Sequence, residues 1–158
     1  MDFGEKTSRL LLLAQSLAEK TQGFFEVKGP GPGDLAANEF VANLRSAAKQ
    51  IFGGDFSEAK ICGENKFSID FYFEDEETAV ELSFGLDKPL SEYERDIFKC
   101  LLAQDAGHPV RKLLLVSKPG GQKRLDAPGP RAIKDWVERK HNLEIEVWDL
   151  VTGESPET

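Results

Sequence analysis

Ile69-Asp70-Phe71-Tyr72-Phe73, Glu74-Asp75-Glu76-Glu77 and Thr78-Ala79-Val80-Glu81-Leu82-Ser83-Phe84 follow one another without a break, two runs of β-forming residues around an acidic turn. The pattern predicts a β-hairpin in which each strand carries one carboxylate. Because side chains alternate along a strand, Asp70 shares a face with Tyr72, and Glu81 shares a face with Ser83, while Val80, Leu82 and Phe84 take the other side. Two carboxylates can thus meet on one face of a short antiparallel pair. Hard oxygen ligands brought together in this way suit magnesium, which needs only one or two protein carboxylates besides water and substrate phosphate. The plainer alternative is a sheet with one wet face and a solvated acidic turn.

Working outward, the rest of the chain supplies helices and three more strand-like segments. Lys6 to Lys20 places Leu10, Leu13 and Leu17 at helical spacing, with Thr7 or Ser8 as N-cap. Gly29-Pro30-Gly31-Pro32-Gly33 breaks any regular element, and Asp34 then caps a second helix that runs to about Phe52 and stops at Gly53-Gly54. It is expected to bury Leu35, Phe40, Val41, Leu44, Ala47, Ala48 and Ile51. A short strand or irregular stretch around Ala59 to Gly63 precedes the hairpin, and Gly85 closes it. Ser91 and Glu94 have the spacing of a capping box for a third helix ending near Gln104, in which Tyr93, Ile97, Leu101, Phe98 and Leu102 make an apolar stripe. Lys112 to Val116 reads as a strand buried on both faces, and Ser117 to Pro130 as a basic Gly/Pro-rich loop. Arg131 to His141 is a fourth helix with Ile133, Trp136 and Val137 inward, and Leu143 to Val151 a last strand. Trp136 and Trp148 are expected in the core.

A strand–helix–strand crossover at the end makes two strands parallel, so the fold class is α/β, a mixed sheet of about four or five strands flanked by helices. One domain spanning 1–151, with a frayed tail at 152–158, accounts for the 158 residues. Cys62 and Cys100 are too few and too far apart for a disulfide framework. The apolar run Leu10 to Leu13 is too short to span a bilayer, which makes a cytoplasmic protein without a membrane partner the expectation. His108 and His141 lack cysteines or histidines at zinc spacing, and no phosphate-binding glycine loop is present. The formal charge is −8, yet Pro109 to Lys140 holds nine basic residues against three acidic ones, the asymmetry of a polyanion-contacting face on an acidic body.

In the order of its elements the chain resembles the restriction-endonuclease-like, or PD-(D/E)xK, nucleases. The matching residues are Ile69-Asp70, then Val80-Glu81-Leu82-Ser83-Phe84-Gly85, the helix from Glu92 to Lys99 and the strand Leu113-Leu114-Leu115-Val116. The most similar branch is the type II restriction enzymes in which another polar residue replaces the motif lysine. The resemblance implies a metal-dependent DNA endonuclease using Mg2+ or Mn2+, with Asp70, Glu81 and the Leu82 carbonyl as metal ligands and Glu39 as an extra acidic residue. It departs at Ser83, where most members have lysine. A polar residue serves there in some active members, and in others a lysine arrives from the next helix, for which Lys99 is the candidate; a solvated Lys99 is the alternative. Double-stranded DNA is the implied partner, with Lys118, Lys123, Arg124, Arg131 and Lys134 as contacts and a homodimer as the simplest way to cut both strands. A catalytically silent DNA- or protein-binding module on the same fold is the competing expectation.

Overall fold

The computed structural model describes residues 2–26, 34–84 and 89–152. Gly29 to Gly33, Gly85 and the tail beyond Thr152 therefore lie outside the described residues. The chain divides into two compact units, one built from residues up to Asp55 together with Leu150 onward, the other Phe56–Asp149.

The first unit pairs two helices, α1 (Glu5–Lys20) and α2 (Leu35–Phe52). Gly4, which has no side chain to bond with, stands at the N-cap of α1, and Thr7, one of the residues expected to cap it, is fully buried within the helix. Asp34 does cap α2, accepting from the Ala37 N–H at 3.0 Å, and Gly53 ends that helix at φ 67°. The buried stripe of α2 is narrower than its composition suggests. Ala36, Phe40, Leu44 and Ala48 point inward at i, i+4 spacing with Ala37 beside them, while Leu35 and Ile51 are exposed. Phe24 meets Phe40 with ring centroids 4.6 Å apart, and the Gln15 amide exchanges hydrogen bonds with the Val151 backbone.

The second unit is a five-stranded sheet of β1 (Ser57–Ala59), β2 (Ile69–Phe73), β3 (Thr78–Leu82), β4 (Lys112–Ser117) and β5 (Glu144–Asp149), lying in that order. The first three strands are antiparallel neighbours, and β3, β4 and β5 run parallel. The mixed α/β sheet expected from the sequence is thus present. Three helices belong to it, α3 (Pro89–Asp105), α4 (Gly121–Leu125) and α5 (Pro128–His141). Both long helices begin with proline, whose missing N–H is one that a first turn leaves unpaired in any case. Ser91 consequently sits inside α3 rather than capping it, and α5 starts three residues earlier than expected. Within the supposed loop Ser117 to Pro130, Gly121–Leu125 is helical.

Leu113 to Val116 are buried on both faces. On one face Tyr72, Ala79, Leu113, Leu115 and Ile145 pack with Tyr93, Ile97, Cys100 and Ala103 of α3 and Val137 of α5. Trp136 and Trp148, expected inside, are 45% and 38% exposed, so β5 and α5 contribute Ile145 and Val137 to the core instead. No helix among the described residues is long and apolar enough to cross a membrane.

Candidate functional site

The pairing of Phe71 with Val80 and Tyr72 with Ala79 brings Asp70 opposite Glu81 on the face that carries Tyr72 and Ala79. That face is covered by α3, not wet. Glu81 is 1% exposed and Ser83 is fully buried, whereas Asp70 is half-buried. Each carboxylate is pinned by the opposite strand's backbone: the Leu82 N–H donates to Asp70 Oδ2 at 2.7 Å, and the Asp70 N–H donates to Glu81 Oε1 at 3.2 Å. Carboxylates that accept backbone N–H groups are held in one orientation.

The face of α3 supplies the other charged groups. Tyr93, Ile97 and Cys100 make its inward stripe, and Asp96 and Lys99 lie along the same face. Phe98 is 60% exposed, which is the opposite of its expected place in the stripe. The Lys99 side chain, far from solvated, is only 12% exposed. Its ammonium lies 2.8 Å from Glu81 Oε2 and 3.7 Å from Asp96 Oδ1, and donates to the Ser68 carbonyl at 2.9 Å. Ser83 donates its hydroxyl to Asp96 Oδ2 at 2.9 Å. Four of the candidate side chains, Asp70, Glu81, Ser83 and Lys99, therefore belong to one connected network. Asp96 was not among the sequence candidates. Its signal is position: three residues after Tyr93 and four before Cys100, it is a charge on the helix's apolar face.

Three carboxylates and one ammonium leave this network short of positive charge. Burial, reinforced by the Asp96 and Asp70 carboxylates and opposed by Lys99, raises Glu81 to about 9. Burial likewise raises Asp96 to about 7 against the pull of Lys99 and the Ser83 hydroxyl. Lys99 also loses hydration, but the facing carboxylates of Glu81, Asp96 and Asp70 outweigh that loss and raise it. Taken together, the carboxylates hold a proton near neutral pH while the lysine stays charged. Cys62 and Cys100 are buried, and desolvation raises both thiols, as suits inert core residues.

Among the described residues no set of three or more His, Cys, Asp or Glu side chains forms a metal cage by itself. Magnesium does not require one, and the donor set here is of the right kind. Glu81 Oε2 is buried, and its partner is the Lys99 ammonium beside it. Leu82 lies in the strand with its N–H on Asp70. Glu39 stands on the exposed face of α2, in the first unit, and the network is built wholly from the second.

The basic candidates gather differently. Lys118 follows β4 and places its ammonium 5.9 Å from the Phe84 ring centroid, while Lys123 and Arg124 are exposed on α4. Asp149 ties α4 to the sheet by accepting from the Ser117 hydroxyl and the Gln122 N–H. A β-carbon at Gly121 would lie 2.6 Å from Ser117 Cβ and 2.9 Å from Asp149 Oδ1, so only glycine fits this crossing. Arg131 is exposed on α5, and Lys134 is engaged by Glu138 at 2.9 Å. The register puts Leu82 beside Val116 and Ser117 beside Asp149, so Glu81, Lys118 and α4 share the carboxyl-terminal end of the parallel strands. The acidic turn is at the other end, beside Lys112, and its Glu77 pairs with Arg111 at 3.0 Å. Tyr72 points elsewhere, donating to the Pro109 carbonyl at 2.6 Å. No protein-family model, curated protein or solved structure matches the chain.

Proposed function

We propose that the chain is a metal-dependent DNA endonuclease of the restriction-endonuclease-like kind, working at the Asp70–Glu81 hairpin. One observation carries this reading: the Lys99 ammonium reaches Glu81 from α3 at 2.8 Å, so the charge that Ser83 lacks is supplied from the neighbouring helix. The strand order and the β3–α3–β4 crossover are compatible with the same reading.

Asp70, Glu81 and the Leu82 carbonyl would hold Mg2+ or Mn2+. When bound, such an ion polarises the scissile phosphate and lowers the pKa of an attacking water. The chain's own contributions are distinct. Asp70 and Glu81 each have one oxygen pre-oriented by a backbone N–H of the opposite strand. Lys99 would offer a positive charge to a phosphate oxygen or to the incoming water, and a nearly buried ammonium acts more strongly there than in bulk solvent. Lys118, Lys123 and Arg124, on the same end of the sheet, would hold the DNA backbone. With one such site per chain, two chains related by a twofold axis would cut both strands.

The test is plasmid cleavage in Mg2+ and in Mn2+ by the parent, Asp70→Asn and Lys99→Met. Loss of about a hundredfold or more in each variant, with the fold retained, is the expected result. A second reading, a catalytically silent DNA- or protein-binding module, draws on Glu81 being 1% exposed with both oxygens already facing donors of this chain. Absence of cleavage by the parent under all these conditions would select it.

A further inference from the structure

The Lys99 ammonium has a second carboxylate within reach. Glu81 Oε2 is 2.8 Å away, and Asp96 Oδ1 waits at 3.7 Å, one helical turn back on the same face. Asp96 is not free to turn, because its other oxygen holds the Ser83 hydroxyl in a buried hydrogen bond. Glu81 Oε2, in contrast, is held only by the Lys99 ammonium. Any cation entering beside Asp70 and Glu81 competes with the ammonium for that oxygen, and two like charges so close in a partly desolvated site repel strongly. The ammonium must give way, and Asp96 lies in the direction it can go.

We propose that Asp96, fixed by Ser83, is the alternate seat of the Lys99 ammonium. A divalent cation and Lys99 then exchange at Glu81 while the lysine stays in the site. The inference rests on the metal-dependent reading above. It makes Asp96 a positioning residue acting through Lys99, and gives Ser83 the task of aiming Asp96.

Mn2+ alone, without DNA, is the probe, with the free ion counted by electron paramagnetic resonance. The proteins are the full chain and its Lys99→Met, Asp96→Asn and doubly substituted forms, each checked by thermal unfolding, with Lys99→Gln as a second removal of the charge. Removing Lys99 should tighten Mn2+ binding by about tenfold or more. Asp96→Asn should weaken it about fivefold in the parent and by less than about twofold once Lys99 is gone, the signature of a residue that works through its neighbour. Equal weakening in both backgrounds would mean that Asp96 acts on the ion itself, which overturns the inference. Unchanged affinity in both Lys99 variants overturns it as well. Plasmid cleavage separates this from the parent reading: the predicted cycle in a protein that never cuts DNA keeps the exchange and removes the nuclease. Cleavage without any Lys99 effect on Mn2+ does the reverse, and no Mn2+ binding by any form removes both.

Discussion

Replacing Glu81 by glutamine changes the protein's pH dependence in a direction that the buried network dictates. Glu81 is 1% exposed and its carboxyl is raised from 4.5 to about 9 by burial and by the carboxylates of Asp96 and Asp70. A carboxyl raised on folding makes the native state bind more protons than the unfolded chain across the interval between the two values. Stability from this group is therefore full below its unfolded pKa and is lost as the pH rises toward its folded one. One proton contributes at most about 1.4 kcal/mol per pH unit, so between about pH 5.5 and about pH 8.5 the ceiling is about 4 kcal/mol. The Lys99 ammonium at 2.8 Å lets part of the population stay ionised, and about half of that ceiling, about 2 kcal/mol, is the expected loss. Glutamine keeps the shape and an acceptor for the Asp70 N–H but never ionises. Urea unfolding in the presence of a chelator should find Glu81→Gln gaining on the parent by about 2 kcal/mol over this interval. A difference between the two proteins that is flat with pH, or that shrinks as the pH rises, would refute the argument that Glu81 holds a proton in the folded state.

Gly121→Ala should destabilise by about 2–4 kcal/mol through the clash with Ser117 and Asp149, with a drop in melting temperature that Ser117→Gly partly restores; a melting temperature within about a degree of the parent would show that the crossing can open. Lys123→Ala combined with Arg124→Ala should weaken duplex binding and reduce the slope of log affinity against log salt by about 2, and an unaltered slope would move the DNA off α4. Glu77, which closes the hairpin turn at φ 50°, should tolerate glycine with a gain of about 0.5–1 kcal/mol in thermal or urea unfolding, because its exposed pair with Arg111 adds little; a net loss would mean the pair outweighs the backbone.

The elements were legible in this sequence where a single period dominated. Alternation around Glu74 to Glu77 gave the hairpin, and the run Leu113 to Val116 gave a strand buried on both faces, because so short an apolar run is strand-length rather than helix-length. Boundaries failed where local chemistry had two solutions. Ser91 and Glu94 have capping-box spacing, but Pro89 can open the same helix two residues sooner, and Gly120-Gly121 reads as loop although Gly121 is where α4 crosses Ser117. Such a crossing depends on the position of Asp149, which no local window contains.

The site illustrates a sharper limit. Period two was enough to put Asp70 and Glu81 on one face, but whether that face is wet depends on which side α3 covers. The expected stripe of Tyr93, Ile97, Leu101, Phe98 and Leu102 was too wide, and the helix narrows it by turning Cys100 and Ala103 inward and leaving Phe98 60% exposed. That rotation carries Asp96 and Lys99 inside with the stripe. Each charge alone would be costly to bury, so neither looks like a core residue when read singly. They are affordable only as a set that includes Glu81 and Ser83 on the facing strand, which is why the two serine and aspartate positions acquire meaning together. Asp96 is thus placed by its partners: Ser83 on the facing strand and Lys99 on its own helix make room for a carboxylate that neither would accommodate alone.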